Sequence, residues 1–417
     1  MRRVHIFSRS IRILLTITLG LWASATAGSH PLLFEQIDAR LELMDDVAAH
    51  KWGARQAIED IERERVVLAA TRNQALMHGL EPEASQFFFR IQIEAAREIQ
   101  HYWFEQFASG TPVPAAADLD EVLRPELLRL GRAITTTLAN SPKTEKHHAQ
   151  RFHDTVSVEG LSQATAARLF GALVEIHRFP DRLTQIKATG LLRVGTTGDY
   201  APFSHSNDER PDPEYAGIDI EMARDLAAYL GVELTFVRTS WPGLMPDLAS
   251  GAFDVGMSGI SLTRTRQESA FFSQPYFTGG KTPIARCSDR DRFTDLITID
   301  QPTVRVIVNP GGTNFLFAHE NIKVAKLIIH EDNRTIFDEI VAGRADVMIT
   351  DAIEVQLKSK EMPGLCATMP GETLTRQQKA YLLPRDEKLR DVVTGWLAQR
   401  LEDGTLNRLF AVYMNPR

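Results

Sequence analysis

The stretch "MITDAIEVQL" (348–357) sets two acids, Asp351 and Glu354, three positions apart. They stand where an apolar run, "ADVMIT", gives way to a helical pattern, "IEVQLKSK". An acid followed three residues later by Glu is the capping-box pattern. Acids in a first turn also complement the positive end of the helix dipole. The same pair could do proton chemistry. A carboxyl that is shielded from water and set beside a second carboxylate keeps its proton to a higher pH, as a general acid must. On these two residues alone both readings stand.

A second group lies far upstream: Arg40, Lys51, Arg63 and Gln100, with Asp60 and Glu64. Asp60, Arg63 and Glu64 are spaced i, i+3, i+4, which also fits an ordinary ion-paired helix face. Singly, each of Arg40, Lys51, Arg63 and Gln100 reads as an ordinary solvated surface residue. The turn "NPGGTN" offers backbone N–H groups ahead of a helix, a seat for an anion. It lacks the Lys-Ser/Thr of a phosphate loop, which argues against a nucleotide. "KHHAQRFHD" holds His147, His148 and His153 without clear ligand spacing, and reads as a solvated cluster.

Two different rhythms must position these groups. Residues 28–180 read as helix after helix. Leu33, Ile37, Leu41, Met44 and Val47 recur at helical spacing within "PLLFEQIDARLELMDDVAAHKW". A second helix ends at Gly79, a third carries Pro82 in its first turn, and further helical patterns follow near 119–140 and 159–178. Residues 181–417 alternate short apolar runs with helices: "LLRVGTT", "GIDIEMARDLAAYLG", "VELTFVRTS", then "TVRVIVNPGGTN", "KLIIH" and "IFDEIVAGRADVMIT". That alternation predicts parallel α/β layers. A pause at "YFTGGKTP" predicts two lobes joined near Gly279 and Gly280, the second spanning about 281–375. Sites in such sheets lie beyond the carboxyl ends of strands.

The 417 residues exceed one ordinary domain. The composition is globular, and a net charge of −7 argues against a nucleic-acid partner. Residues 1–27 read as a secretory signal: Arg2, Arg3, Arg9 and Arg12, then the apolar "ILLTITLGLWAS", then Ala25-Thr26-Ala27. A soluble exported protein, free of the membrane after cleavage, is expected in the periplasm. In that oxidising compartment the two cysteines, Cys287 and Cys366, are expected to pair.

"DARLELMDDVAAHKWGARQAIEDIERER" followed by "IQIEAAREIQ" resembles the all-helical chorismate mutases, and the extra helices with export resemble their secreted subclass. The resemblance implies that Arg40 and Arg63 hold the substrate's carboxylates and that Lys51 and Gln100 donate to its ether oxygen. Asp60 and Glu64 contact the hydroxyl or orient neighbours, and Arg132 joins from a later helix. Ala96 stands where some relatives carry Ser or Thr.

The second half resembles the periplasmic amino-acid-binding proteins through "LLRVGTTGDYAPFS", "FDVGMSGISLTRTRQESAFFSQPYF" and "IVAGRADVMITD". In a receptor, Arg266 binds a carboxylate, Ser261 and Thr313 add hydroxyls, and Asp351 holds an α-amino group. "TSWPGLM", "GGKTPI", "VNPGGTN", "ITDAIE" and "KAYLLPRDE" resemble an enzymatic offshoot of that family, the cyclohexadienyl dehydratases. That resemblance makes Glu354 the general acid and gives Lys281 a substrate carboxylate. Asp199, Tyr200 and Trp241 then line the substrate. Together the halves imply a bifunctional enzyme taking chorismate to prephenate, and prephenate (or arogenate) to phenylpyruvate (or phenylalanine). The alternative is a mutase fused to a non-catalytic receptor. Neither reaction requires a metal or organic cofactor, and the partners are small-molecule substrates.

Overall fold

The computed structural model describes residues 29–206 and 214–415. The expected signal, 1–27, lies outside them. The chain forms two compact units, one of residues up to Glu59 with Ile91–Val174, the other of Asp60–Arg90 with Glu175 onward.

The first unit is helical. Helices run Ser29–Glu42, Met44–Gly53, Arg124–Asn140, Ala149–Thr155 and Gln163–Val174, together with the part of the Pro82–Ala108 helix beyond Ile91. The stripe Leu33, Ile37, Leu41, Met44 and Val47 is buried throughout. Each such side chain contributes about 1.5–3 kcal/mol by leaving water. The single helix expected over this stripe is interrupted at Leu43, whose backbone stays in the right-handed helical region. Phe34 meets Phe152 edge-on at 5.2 Å, tying the first helix to the short helix 149–155.

Segment 60–90, expected within the helical half, is grouped by its contacts with the α/β unit. The reason lies in the capping of the Ile61–Met77 helix. Its Leu76 carbonyl accepts from Gln185 Nε2 (2.6 Å) and Arg182 Nη1 (3.3 Å). Backbone bonds Glu81 N to His177 O and Phe179 N to Gly79 O, each 2.9 Å, continue the seam. A helix leaves its last carbonyls unpaired, and these side chains from beyond residue 180 satisfy one of them. The division at 180 is therefore interleaved.

Fourteen strands occur among the described residues of the second unit. They are β1 (Leu191–Thr196), β2 (Asp199–Tyr200), β3 (Ser204–His205), β4 (Glu233–Arg238), β5 (Val255–Gly256), β6 (Phe271–Phe272) and β7 (Phe277–Gly279). They continue with β8 (Lys281–Arg286), β9 (Arg305–Val308), β10 (Lys326–Ile329), β11 (Val347–Asp351), β12 (Leu365–Ala367), β13 (Gln377–Lys379) and β14 (Leu382–Leu383). One sheet has the order β4-β1-β5-β14-β6 and the other β10-β9-β11-β8-β12. β1, β4 and β5 run parallel, as do β9, β10 and β11. β11 is buried at every position, as a strand covered on both faces must be.

The sheets are mixed rather than purely parallel. β8 runs antiparallel to β11, and β14 antiparallel to β5. Each is the first sheet strand after the chain crosses between lobes, so it enters from the hinge side, where the parallel strands end. The hinge is a two-stranded pair, β7 with β13, which places Gly279 opposite Gln377 and Phe277 opposite Lys379. Gly280 follows, and a Cβ there would lie 1.8 Å from the Thr375 carbonyl oxygen, so only glycine fits. No helix among the described residues is long and apolar enough to cross a membrane.

Cys287 and Cys366 form a disulfide closing 79 residues of the second lobe. Chain entropy makes such a closure worth roughly 4 kcal/mol. Replacing both cysteines by alanine is expected to lower unfolding free energy by about that amount in denaturant titration. Thiol titration of the denatured, unreduced protein is expected to find no free thiol.

Candidate active sites

Antiparallel register does the first work at the cleft. Pairing of β8 with β11 sets Lys281 directly opposite Asp351, at the carboxyl end of β11. Lys281 Nζ lies 3.2 Å from Asp351 Oδ1, and Lys379 Nζ, from the hinge strand β13, lies 2.7 Å from Oδ2. The Tyr200 hydroxyl also donates to Oδ2. Burial pushes the Asp351 carboxyl up, but the Lys379 and Lys281 charges overrule it and hold it well below the usual carboxylate range. Burial, reinforced by Asp351, pushes the Tyr200 hydroxyl well above its ordinary value.

Glu354 stands one turn into the helix Ala352–Glu361 and is 2% exposed. Burial, with the Asp351 and Asp199 charges, pushes its carboxyl up to about 7 against the opposing Thr350 hydrogen bond and Lys358. Its protonated form is therefore within reach at neutral pH, unlike that of an exposed glutamate. The Asp351 side chain makes no cap hydrogen bond, although its residue is the N-cap. It is turned to the two lysines, and Glu354 accepts from Thr350 Oγ1 at 2.5 Å. The capping-box explanation of these acids therefore fails.

A directional chain joins the two ends of this network. Lys281 Nζ donates to Asn314 Oδ1, Asn314 Nδ2 donates to Thr350 Oγ1 (2.9 Å), and Thr350 donates to Glu354 Oε2. The chain thereby links the Lys281 ammonium to the Glu354 carboxyl through two neutral side chains. Burial, together with the Lys379 charge, lowers the Lys281 ammonium, while Asp351 opposes the shift.

Arg266 is 9% exposed, and burial lowers its guanidinium to about 10, so it stays cationic. It donates to the Ser261 carbonyl at 2.9 Å. Thr313 opens the helix Thr313–Asn321, after the "NPGG" turn. Trp241 Nε1 donates to Asp199 Oδ1 at 3.1 Å and stands edge-on to Tyr200, with ring centres 5.8 Å apart. Burial raises the Asp199 carboxyl. Tyr200, Trp241, Ser261, Thr313 and Asp351 share a cavity of about 20 Å³. Asp199 and Glu354 border a separate one of about 790 Å³. Organic ligands occupy pockets of roughly 300–1,000 Å³, so the smaller cavity must widen before it can hold a substrate.

Sequence reading missed Lys379, Asn314, Thr350, Asn309 and Asn333. Asn309 and Asn333 line the smaller cavity, and Asn333 the larger one as well. One signal was available: Lys379 is a charge set among the apolar residues of "KAYLL". The others became visible only through strand and helix pairing.

The upstream set divides between the two units. In the first unit, Arg40 (7% exposed) donates to Gln92 Oε1 at 3.2 Å, and burial lowers its guanidinium to about 10. Lys51 Nζ donates to the Ile58 carbonyl at 2.6 Å. Gln100 Nε2 donates to the Ala96 carbonyl at 3.0 Å. Gln92, also missed in the sequence, lies two turns before Gln100 on the same helical face. Gln92 Nε2 and Gln100 Oε1 are buried without a hydrogen-bond partner. Buried polar atoms in this state are rare in native proteins and fit groups that meet a ligand. In the second unit, Asp60 caps its helix by accepting from the Arg63 backbone at 3.1 Å, and Arg63 and Glu64 are half-buried. Arg132 is exposed. Its helix buries Leu130 and Ile134, so helical geometry turns Arg132 to the opposite face; the expected substrate contact is not supported. His148 stacks on His30 at 4.2 Å.

Residues 192–416 match the bacterial extracellular solute-binding proteins, family 3, and the chain belongs to that family. Residues 32–101 match chorismate mutase type II. Cyclohexadienyl dehydratase of Pseudomonas aeruginosa is 48% identical over 261 residues, covering 63% of this chain and 96% of that protein. The L-cystine-binding protein TcyJ of Escherichia coli is 28% identical over 230 residues, covering 54% of this chain and 84% of that one. Among solved structures, an ancestral amino acid-binding protein described as a precursor of cyclohexadienyl dehydratase superposes with a TM-score of 0.51 at 33% identity. It covers 56% of this chain and 100% of its own.

Proposed function

We propose that the protein is an exported bifunctional enzyme that rearranges chorismate to prephenate and then dehydrates and decarboxylates prephenate, or its amino counterpart arogenate. The observation that carries the second step is the Glu354 carboxyl, buried close to Asp351 and raised by that burial, in a helix whose N-cap side chain makes no cap bond. The two matching families, a chorismate mutase and a relative of the dehydratases, agree on one metabolite.

The first reaction is an intramolecular pericyclic shift and needs no proton transfer. The site must hold a dianion in a reactive shape and stabilise charge growing on the ether oxygen. The likeness to the chorismate mutases assigns the carboxylates to Arg40 and Arg63 and the ether oxygen to Lys51 and Gln100. Asp60 and Glu64 meet the hydroxyl or orient these groups. In the second reaction Glu354 gives its proton to the ring hydroxyl, which leaves as water. The bond from the ring to its carboxylate breaks, carbon dioxide departs, and that electron pair completes the aromatic ring. Hydroxide alone leaves poorly, so the acid is required. Closure of the cleft strips water from the ring carboxylate before it leaves. Arg266 and Lys281 hold the carboxylates, Ser261 and Thr313 add hydroxyls, and Tyr200, Trp241 and Asp199 wall the ring. The arginine-led leader ending in Ala25-Thr26-Ala27 supports export to the periplasm and cleavage near Ala27.

The test supplies prephenate to purified protein and follows phenylpyruvate by absorbance, with binding measured by calorimetry. Turnover is expected. Tight binding without turnover would instead make the second half a receptor.

A further inference from the structure

Three parallel strands of the second lobe each deliver a polar side chain beyond their carboxyl ends. Asn309 follows β9 directly, Asn333 lies in the turn after β10, and Glu354 follows β11. Open α/β sheets place their ligands there. Two of the three side chains have their acceptor oxygens occupied: Asn309 Oδ1 receives Asn314 Nδ2 at 3.4 Å, and Glu354 Oε2 receives Thr350. Asn333 differs. Its Nδ2 donates to the Asp199 carbonyl of the first lobe at 2.9 Å, while its Oδ1 is buried with no hydrogen-bond partner. The residue is 6% exposed. A buried amide oxygen in this state is uncommon and fits a group that meets a ligand.

The turn that carries Asn333 is held in place. Asp332 accepts from the Arg334 backbone at 3.0 Å and from its guanidinium Nε at 2.9 Å. The Asp332 carbonyl accepts from the Thr335 backbone at 3.1 Å. With Nδ2 fixed on Asp199, the amide cannot flip without losing that bond. Asn333 alone among the described residues lines both cavities of the cleft. Tyr200, Trp241, Thr313 and Asp351 line the smaller one, and Asp199 and Glu354 border the larger. A substrate anchored among the first group and protonated by Glu354 spans the border that Asn333 forms.

The ring hydroxyl of prephenate has one O–H to donate and lone pairs with which to accept. Glu354 supplies a proton to a lone pair, and Asn333 Oδ1 lacks a donor. We propose that Asn333 is a further catalytic residue, whose Oδ1 accepts the hydrogen bond of the departing hydroxyl and so turns its lone pair toward Glu354. The proposal rests on the dehydratase reading above. The ring carbon–oxygen bond breaks as the oxygen takes the Glu354 proton, and the water that leaves keeps its original O–H on Asn333. That O–H becomes a stronger donor as positive charge grows on the oxygen, so the contact strengthens toward the transition state.

The experiment uses Asn333→Leu and Asn333→Ala, with folding checked by thermal melting. Binding is measured by calorimetry in the Glu354→Gln background, where prephenate persists, for prephenate and for phenylpyruvate, which lacks the ring hydroxyl. Both substitutions are expected to weaken prephenate binding relative to phenylpyruvate by roughly fivefold or more, the scale of one hydrogen bond. Equal losses for the two ligands would reduce Asn333 to its bond with Asp199, and no loss would leave Oδ1 to a water; either result overturns the proposal. With Glu354 intact, single-turnover dehydration at saturating prephenate is expected to fall roughly tenfold or more in both variants, as for a hydrogen bond to a charged group. A rate at the wild-type level also overturns the proposal. Wild-type protein that binds prephenate without dehydrating it sinks the dehydratase reading, and the binding ratio still decides the hydroxyl contact.

Discussion

Glu354→Gln is expected to slow single-turnover dehydration of prephenate by ~10² to 10⁴-fold, the usual contribution of a general acid, while prephenate still binds. Glutamine keeps the shape of the side chain and can still accept from Thr350, but it carries no transferable proton. If Glu354 merely capped its helix, glutamine would serve almost equally well, because the capping box accepts either residue. Such a change would cost at most about 1 kcal/mol of stability. A folded, binding-competent variant dehydrating prephenate at the wild-type rate would return Glu354 to a structural role. The pH profile offers a second readout. The folded carboxyl is raised to about 7, so its active, protonated form is present below that pH. Activity is expected to fall as pH rises through about 7, and the residual activity of Glu354→Gln should lack that limb.

Lys51→Ala and Arg63→Ala are each expected to reduce chorismate rearrangement roughly a hundredfold or more, the cost of losing one donor to developing charge. Both should leave conversion of supplied prephenate near the wild-type rate, because that chemistry belongs to the Asp351–Glu354 cleft. Lys51 also bonds the Ile58 carbonyl at 2.6 Å, so its loss removes a loop contact. A net hydrogen bond is worth about 1 kcal/mol, which melting curves would register separately from catalysis. Near-normal mutase turnover in both variants would defeat the assignment.

Local pattern made much of this legible in the sequence. The stripe from Leu33 to Val47 announced the first helices, and Gly279-Gly280 marked the hinge, where the Thr375 carbonyl leaves no room for a side chain at Gly280. Asp351 and Glu354 were visible but ambiguous, since caps and proton donors draw on the same residue types. The absent cap bond at Asp351, and the lysines that β8 and β13 deliver to it, separate the two uses. Lys379 and Asn314 reach the network from distant parts of the chain, and no local spacing encodes that. The grouping of segment 60–90 with the α/β half depends on Arg182 and Gln185 finding the Leu76 carbonyl, a contact more than a hundred residues away in sequence. The antiparallel entry of β8 and β14 follows from two hinge crossings, which a strand–helix alternation does not reveal.

The central claim is that one chain carries chorismate through to phenylpyruvate. The direct measurement is a proton NMR time course of purified wild-type protein given chorismate alone. Loss of the chorismate ring signals, passage through prephenate and growth of phenylpyruvate, all dependent on the enzyme, are the predicted result. Chorismate that persists unchanged, or prephenate that accumulates stoichiometrically without enzyme-dependent aromatisation, would contradict it.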